Sequence, residues 1–252
     1  RVLRLIRRIS GVTLTLALVA CTPAPEVAAP FEMEKPVQVE AVYRLMFNDA
    51  LVGNAFFSMQ IMADGSYVIE ALTIPAGKMQ QAEGHEVLES SRGNYDSTQI
   101  RPAEFTHSVI NSEHIEVINL MFDWESHALR LVNGDEKQTV SLQPGTHDRL
   151  SYLLAARRLA ATGTGAVQVQ IASPQASEQT RLEVRGIETV EVPAGSYRAV
   201  GIARATPEEG ETRMLWFDVQ SFPLPLRVSH SWDGKTVEMV LETLSQTPGD
   251  PR

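Results

Sequence analysis

Cysteine is almost absent from this chain, which has one in 252 residues. A single cysteine excludes an intramolecular disulfide and the paired cysteine spacings of structural zinc sites. The six histidines do not compensate, because they are scattered and follow no metal-binding spacing. The fold must therefore be stabilised by a packed core, for which the chain is long enough. The sequence predicts no metal site and no cofactor.

Positive charge is also scarce, with 22 lysines and arginines against 31 aspartates and glutamates. The formal net charge is −9, and it becomes −13 when residues 1–20, which contain four arginines and no acidic residue, are left out. Protein contacts to nucleic acid depend on lysine and arginine side chains. The charge balance therefore predicts that nucleic acid is not a partner of this protein.

A long hydrophobic run is missing as well, because the apolar segment near the N-terminus extends only over residues 9–20. A membrane-spanning helix needs about 20 apolar residues. Four arginines precede the segment and small residues end it, an arrangement typical of a secretory signal peptide. The sequence therefore predicts a signal peptide over residues 1–20.

The residues Leu18-Val19-Ala20-Cys21 resemble the lipobox of bacterial lipoproteins, in which the cysteine is lipidated after cleavage. The resemblance implies that Cys21 carries the lipid anchor that attaches the protein to a membrane. The alternatives are a short signal anchor or a buried free cysteine. Thr22 follows the cysteine, where proteobacterial lipoproteins of the inner membrane often have aspartate, so it favours the outer membrane, facing the periplasm.

Proline and alanine dominate the segment after the cysteine, and this composition indicates an extended tether. We predict that residues 21–37 comprise the lipidated cysteine and the tether. The β-rich domain is predicted over residues 38–244. Residues 245–252 contain two prolines and are predicted to form a loose tail.

Short segments of alternating apolar and polar residues, separated by turn signals such as Asp64-Gly65 and Asp233-Gly234, occupy most of the domain. Their spacing favours an antiparallel sheet over alternating βαβ units. The predicted fold class is mainly β, with antiparallel strands forming one large curved or barrel-like sheet system; two lobes hinged near residues 163–165 are the alternative. The predicted strands are residues 39–47, 52–62, 67–73, 85–94, 101–110, 115–124, 128–132, 137–142, 166–172, 180–192, 197–205, 212–218, 226–232 and 236–244.

One segment departs from this pattern and predicts a single amphipathic helix over about residues 146–161. Thr146 is suited to cap its start, Asp148 to lie in its first turn, and Gly163 to end it. The apolar face must pack on a sheet. The residues at helical spacing that define this face are Leu150, Leu153, Leu154 and Leu159.

An ordered set of motifs resembles the DUF3108 family of exported bacterial proteins of unknown function, over roughly residues 40–244. The resemblance implies an envelope protein with a β-rich fold and brings no established activity. At one position the chain has His147 where family members often have glutamine, a difference that matters if the position contacts a ligand. The motifs are Val52-Gly53, Gly93, Arg101-Pro102, Phe122-Asp123-Trp124, the segment from Pro144 to Ser151, the segment from Val192 to Tyr197, Leu215-Trp216-Phe217 and the segment from Leu224 to Arg227.

The polar cluster at the predicted helix start contains the best candidates for residues that contact a ligand or hold the structure together. In one interpretation, Asp148 and Arg149 contact a ligand where the helix N–H groups favour anions, and Ser151, three residues after Asp148, shares the face of Asp148. In the other, Asp148 caps the helix and anchors it to the sheet through Arg101 or another arginine. Trp124 closes the edge of the core, or its ring stacks on a ligand. No catalytic residue is assigned.

Two functions remain open from the sequence. The first is a non-enzymatic binding or scaffold module of the cell envelope, with an apolar groove for a lipid or peptide ligand or for an envelope-protein partner. The second is an envelope hydrolase or transferase acting on glycan or peptide, with Asp148, Ser151 and His147 at its site. No Gly-x-Ser-x-Gly segment supports the second reading.

Overall fold

A computed structural model of the chain describes residues 37–77, 85–205, 209–220 and 222–248. The predicted signal peptide, Cys21 and all but the last residue of the predicted tether lie outside these ranges. The described part contains one helix, α1 (Ser151–Thr162), and fifteen strands. The strands are β1 (Val37–Phe47), β2 (Ala50–Ile61), β3 (Ser66–Pro75), β4 (Glu86–Tyr95), β5 (Ile100–Ile110), β6 (Ile115–Asp123), β7 (Ala128–Asn133), β8 (Glu136–Ser141), β9 (Thr146–His147), β10 (Ala166–Ala172), β11 (Ser177–Val192), β12 (Gly195–Arg204), β13 (Thr212–Asp218), β14 (Arg227–Trp232) and β15 (Lys235–Pro248).

All these strands belong to one sheet, in the order β8-β7-β6-β5-β4-β3-β2-β1-β15-β14-β13-β12-β11-β10-β9. Neighbouring strands pair antiparallel except for β9 and β10, which are parallel and are joined through α1. The pairing of β1 with β15 joins the two halves. Within the described ranges the edge strands β8 and β9 do not pair, so the sheet is not closed into a barrel. The predicted large antiparallel sheet is confirmed, and its continuity excludes two separate lobes.

One face of the sheet forms the core because side chains alternate along each strand. In β1, Val39, Ala41 and Tyr43 are buried, whereas Glu40 and Arg44 between and after them are exposed. The same alternation continues in β2 and β3. The apolar face of the sheet therefore needs a cover, which α1 provides.

The helix α1 buries Leu153, Leu154 and Leu159 against this face, as its apolar spacing predicts. It contacts β5 on one side and β10 to β13 on the other, although these strands lie far apart in the sheet. A sheet that contacts one helix from both sides must curve around it, as predicted. In the part of the chain that the structure describes, no helix is long and apolar enough to span a membrane.

The helix begins at Ser151 and not at residue 146, so the predicted start is wrong. Thr146 and His147 form β9 instead, and their backbone groups pair with β10. The Thr146 hydroxyl donates to the carbonyl of Gln143 at 2.7 Å and caps no helix. At the other end, Gly163 takes the left-handed conformation (φ +70°) that ends many helices, as predicted.

The strand β15 continues to Pro248, into the segment predicted as a loose tail over residues 245–252. Ser245 and Gln246 pair with Glu40 and Val39 of β1. The prediction is therefore wrong for residues 245–248, because β1 begins early enough to give them a ladder partner. Residues 249–252 lie outside the described residues.

A close approach between β4 and β5 explains two of the sequence motifs. A Cβ atom added at Gly93 would lie 2.2 Å from the carbonyl oxygen of Arg101 and 2.7 Å from the Cα of Pro102, which is too close for any side chain. The ladder between the two strands is irregular here, between Arg92 and Gly93. Gly93 therefore allows the start of β5, and with it Arg101, to pack directly on β4.

Candidate functional site

The carboxylate of Asp148 is buried and caps the start of α1. Its Oδ1 atom accepts hydrogen bonds from the backbone N–H groups of Leu150 and Ser151, both at 2.8 Å. The Ser151 hydroxyl accepts one in return from the backbone N–H of Asp148, at 2.9 Å. This reciprocal arrangement satisfies N–H groups that a helix start leaves without intrahelical partners. The structure thus gives Asp148 and Ser151 the role of a cap.

The second oxygen of Asp148 anchors the helix to the sheet. The hydroxyl of Ser91, on β4, donates to Oδ2 at 2.7 Å, and the Tyr67 hydroxyl, on β3, lies 3.2 Å from the same serine oxygen. Because Ser91 has one proton and donates it to Asp148, Tyr67 is the donor in the second bond. The predicted anchor through Arg101 or another arginine is wrong, since hydroxyl groups make the connection.

Burial governs the protonation of this network. It raises the pKa of Asp148, against the opposing effect of hydrogen bonds from Ser151, Ser91 and Leu150. Burial, followed by the negative charge of Asp148, also raises the pKa of Tyr67. Tyr67, Ser91, Asp148 and Ser151 are each at most 1% exposed. The network is therefore closed to substrates.

The same burial weakens the hydrolase interpretation. A catalytic serine needs a base within hydrogen-bond reach and an accessible hydroxyl. The Ser151 hydroxyl is buried and engaged in the helix cap. Among the described residues, no hydrogen bond joins it to His147. The hydrogen bonds between Asp148 and Ser151 therefore stabilise the start of α1.

Arg149 points away from this network and is 45% exposed. Its Nη1 atom lies 3.2 Å from Oε1 of Glu89, which also contacts Nδ1 of His107 at 2.9 Å. These groups lie beside a cavity of about 420 Å³ near the start of α1, which Arg149 and Glu89 help to line. The polar cluster of the sequence is thus divided between an internal cap and an external ion pair.

A larger cavity, of about 780 Å³, lies where α1 meets the two edges of the sheet. Its walls come from α1, from β10, from the turn before β5 and from the connection between β8 and β9. The volume falls within the range of about 300–1,000 Å³ that is typical of small-molecule sites. The apolar residues of its lining include Ile100, Leu142, Leu159, Val167 and Val169.

Arg101 and Trp124, both predicted from the sequence, lie together at this cavity. The Trp124 indole N–H donates to the carbonyl of Pro102 at 2.7 Å, which fixes the ring against β5. The guanidinium carbon of Arg101 lies 6.0 Å from the centroid of the Trp124 ring, at the limit of a cation–π contact. Because Arg101 is exposed, it presents its charge at the rim of the cavity.

Arg158 and His147 bring two more nitrogen-containing side chains to the lining. The Arg158 guanidinium stacks on Tyr95, 4.8 Å from the ring centroid, and donates to the backbone carbonyl of Asp96. His147 is 5% exposed, and its Nδ1 atom has no hydrogen-bond partner among the described residues. Burial, followed by the positive charge of Arg158, lowers the pKa of His147 to about 4. His147 is therefore neutral near pH 7, whereas the two arginines are charged.

Arg158 and the walls from β8 to β10 were missed by the sequence analysis. Helical spacing contained part of the signal, because Ala155, Arg158, Leu159 and Thr162 recur at intervals of three and four residues and all line the cavity. The sequence did not show which strands face this stripe. Within the described residues, no group of three histidine, cysteine, aspartate or glutamate side chains is placed to hold a metal ion.

Fold and site together define a class of protein: a β-rich domain in which a single sheet curves around one helix and leaves a ligand-sized cavity at its open edges. The family model described as "Protein of unknown function (DUF3108)" matches residues 42–242. The chain therefore belongs to the DUF3108 family, as its motifs indicated. A search of curated proteins finds no match.

Solved structures that are similar to this chain include the following two. A β-barrel-like protein of the domain of unknown function DUF1849 from Brucella abortus is 11% identical, with a TM-score of 0.55, and the match covers 84% of this chain and 98% of that one. This similarity shows the fold alone. A candidate lipoprotein from Parabacteroides distasonis ATCC 8503 is also 11% identical, with a TM-score of 0.29 and coverage of 84% and 97%.

Replacing Asp148 by alanine is expected to lower the free energy of unfolding by about 2 kcal/mol, because it removes the cap and leaves buried donors without an acceptor. Asp148→Asn should cost less, since its amide oxygen still accepts from the two N–H groups. Asp135→Ala, which removes an exposed aspartate in the turn between β7 and β8, is the control and should cost little. Urea unfolding measures the differences; an Asp148→Ala protein as stable as wild type would contradict the role.

The buried His147 should make stability depend on pH. The unfolded chain takes up a proton near the ordinary pKa of 6.5, whereas the folded chain does so only at about pH 4. Between these values the unfolded state binds more protons, so the free energy of unfolding falls as the pH decreases through this window. His147→Gln should reduce the slope of the free energy of unfolding against pH in this window by up to about 1.4 kcal/mol per pH unit.

Urea unfolding across this pH window measures the slope for each variant. His85→Gln removes an exposed histidine and serves as the control, which should keep the wild-type slope. Equal slopes for wild type and His147→Gln would show that His147 does not carry the pH dependence.

Proposed function

We propose that this protein is a non-enzymatic binding module of the bacterial cell envelope, which holds an amphipathic ligand, such as a lipid or a peptide, in the cavity of about 780 Å³ beside α1. The cavity carries the proposal, because its size and its apolar lining with a few polar groups are those of a binding site. A curved sheet around a helix offers such a space without further rearrangement. The main polar cluster is used for capping and is not accessible to substrate.

The N-terminal sequence supports the proposed location in the cell envelope. The segment that ends in Cys21 resembles a lipobox, and the proline-rich stretch after it has the composition of a tether. In the proposal, acyl chains at Cys21 hold the protein in the outer membrane, and residues 22–36 let the β-domain extend into the periplasm. Two or more acyl chains give durable attachment, whereas one gives only reversible binding.

Native mass spectrometry of the domain tests the cavity. Residues 37–252 contain every described strand, α1 and the described core, so we expect this segment to fold on its own. Purified gently from the periplasm, it should carry a small bound species that is lost on denaturation. Ala155→Leu, which places a larger side chain in the cavity wall, should reduce the occupied fraction.

Ala161→Leu makes the same change in α1 at a half-buried position outside the cavity lining, and should keep the wild-type occupancy. A wild-type domain that shows only its own mass would contradict a small-ligand function. Equal occupancy in both variants would place the ligand elsewhere on the domain.

Labelling with an alkyne-bearing fatty acid tests the anchor. When the full chain is expressed in a proteobacterial host, the wild-type protein should incorporate the label and Cys21→Ser should not, because the thiol is the attachment point. Immunoblotting of both proteins provides the expression control. Absence of label from a wild-type protein that is clearly expressed would contradict lipidation.

A further inference from the structure

The cavity beside α1 has a charge opposite to that of the chain. Without residues 1–20 the chain carries a net charge of −13. The side chains that line the cavity nevertheless include Arg101, Arg158, His127 and His147, and no aspartate or glutamate occurs among the described residues of the lining. In so acidic a protein, a concave surface with only basic ionisable groups forms a local region of positive potential.

We propose that the ligand of this cavity is a single-chain amphiphile with an anionic head group, a carboxylate or a phosphate, which Arg101 and Arg158 bind. The proposal rests on the binding function given above and names the chemistry that the site selects. The volume of about 780 Å³ is that of a site for one small molecule, which favours one chain over two.

Both arginines lie near aromatic rings. Arg158 stacks on Tyr95 at 4.8 Å, whereas the exposed Arg101 lies 6.0 Å from the Trp124 ring, at the limit of a cation–π contact. A guanidinium that is stacked like that of Arg158 loses little freedom when it binds a ligand. Arg158 donates through Nη2 to the carbonyl of Asp96. Since a guanidinium has five N–H donors in a planar fork, this bond leaves capacity for a carboxylate or phosphate.

The carboxylate of Asp96, the residue whose backbone carbonyl Arg158 contacts, is already engaged and does not compete for the arginines. Oδ1 of Asp96 accepts from the backbone N–H groups of Thr98 and Gln99, at 2.7 and 2.8 Å, and from the Thr98 hydroxyl. These bonds close the turn that leads into β5 and hold the carboxylate within it. The positive charge of Arg101 and Arg158 is therefore available to an external anion.

The apolar part of the lining provides the place for the chain. Leu142 and Val169 are buried, and Val167 is 40% exposed at the same cavity. Burying an apolar chain against such residues contributes roughly 25 cal/mol for each Å² removed from water. This contribution is the same for a charged and a neutral amphiphile of equal chain length. The difference between their affinities thus reports the head-group contacts alone.

Binding of a matched set of ligands to the purified domain (residues 37–252) tests the proposal, by calorimetry below the concentration at which micelles form. Hexadecanoate and hexadecyl phosphate should each bind at least about tenfold more tightly than hexadecanol, as charge-assisted hydrogen bonds predict. The tighter of the two anions identifies the head group. Hexadecyltrimethylammonium, with the same chain and a positive head, should bind no better than the alcohol.

Arginine variants then assign the effect to the cavity. Arg101→Gln should reduce the preference for the anions. We expect the fold to be kept, because the Arg101 side chain is exposed. Arg158→Gln should reduce the preference further. Arg44→Gln, which removes an exposed arginine paired with Glu242 on β15, is the matched control and should keep the wild-type preference.

The outcomes separate the two proposals. If hexadecanol binds as tightly as the anions, or if Arg101→Gln and Arg158→Gln leave the preference unchanged, the proposal of an anionic head group is wrong and the proposed binding function stands. If none of the four ligands binds, the proposal of an anionic amphiphile is wrong. If native mass spectrometry also shows no bound species, the binding function itself is wrong.

Discussion

The burial of one helix inside a curved sheet is the constraint on which the rest of this structure depends, and the Asp148 carboxylate is where helix and sheet are joined. A buried carboxylate is tolerated only when its oxygens find donors. One oxygen accepts from the first N–H groups of α1, and the other accepts from Ser91 on β4. This connection fastens the start of α1 to β4. Further along the same helix, Ala155, Arg158 and Leu159 line the cavity at the sheet edges.

The open edges of the sheet account for the presence of a cavity. The interior of a small closed barrel is filled by its own side chains. Here β8 and β9 stay unpaired with each other in the described part of the chain, and α1 lies along the gap between the two ends of the sheet. The edge strand β8 is exposed along its whole length and begins with Glu136 and Lys137, charged residues that discourage pairing with another chain. These charges thus disfavour a further strand in the gap, which is where the proposal places the ligand.

The family and the fold are established for this chain, whereas its ligand is inferred from one cavity. Membership of the DUF3108 family brings no activity, and the similarity to the DUF1849 structure concerns the fold alone. The functional argument therefore depends on local chemistry: an apolar space, two arginines that lie near aromatic rings, and a neutral buried histidine. The last of these groups, His147, lies in the cavity wall.

The sequence by itself determined the strands, their order along the chain, and the existence and apolar face of α1, because alternation, turn signals and helical spacing are local properties of a few neighbouring residues. It also singled out Asp148, Arg101 and Trp124. It did not determine that residues 146–147 form β9, since their partner strand, β10, follows only after α1. Nor did it identify Ser91, 57 residues away, as the partner of Asp148. Only the tertiary structure decided these contacts and the cavity, because both arise where distant segments meet as the sheet curves around the helix.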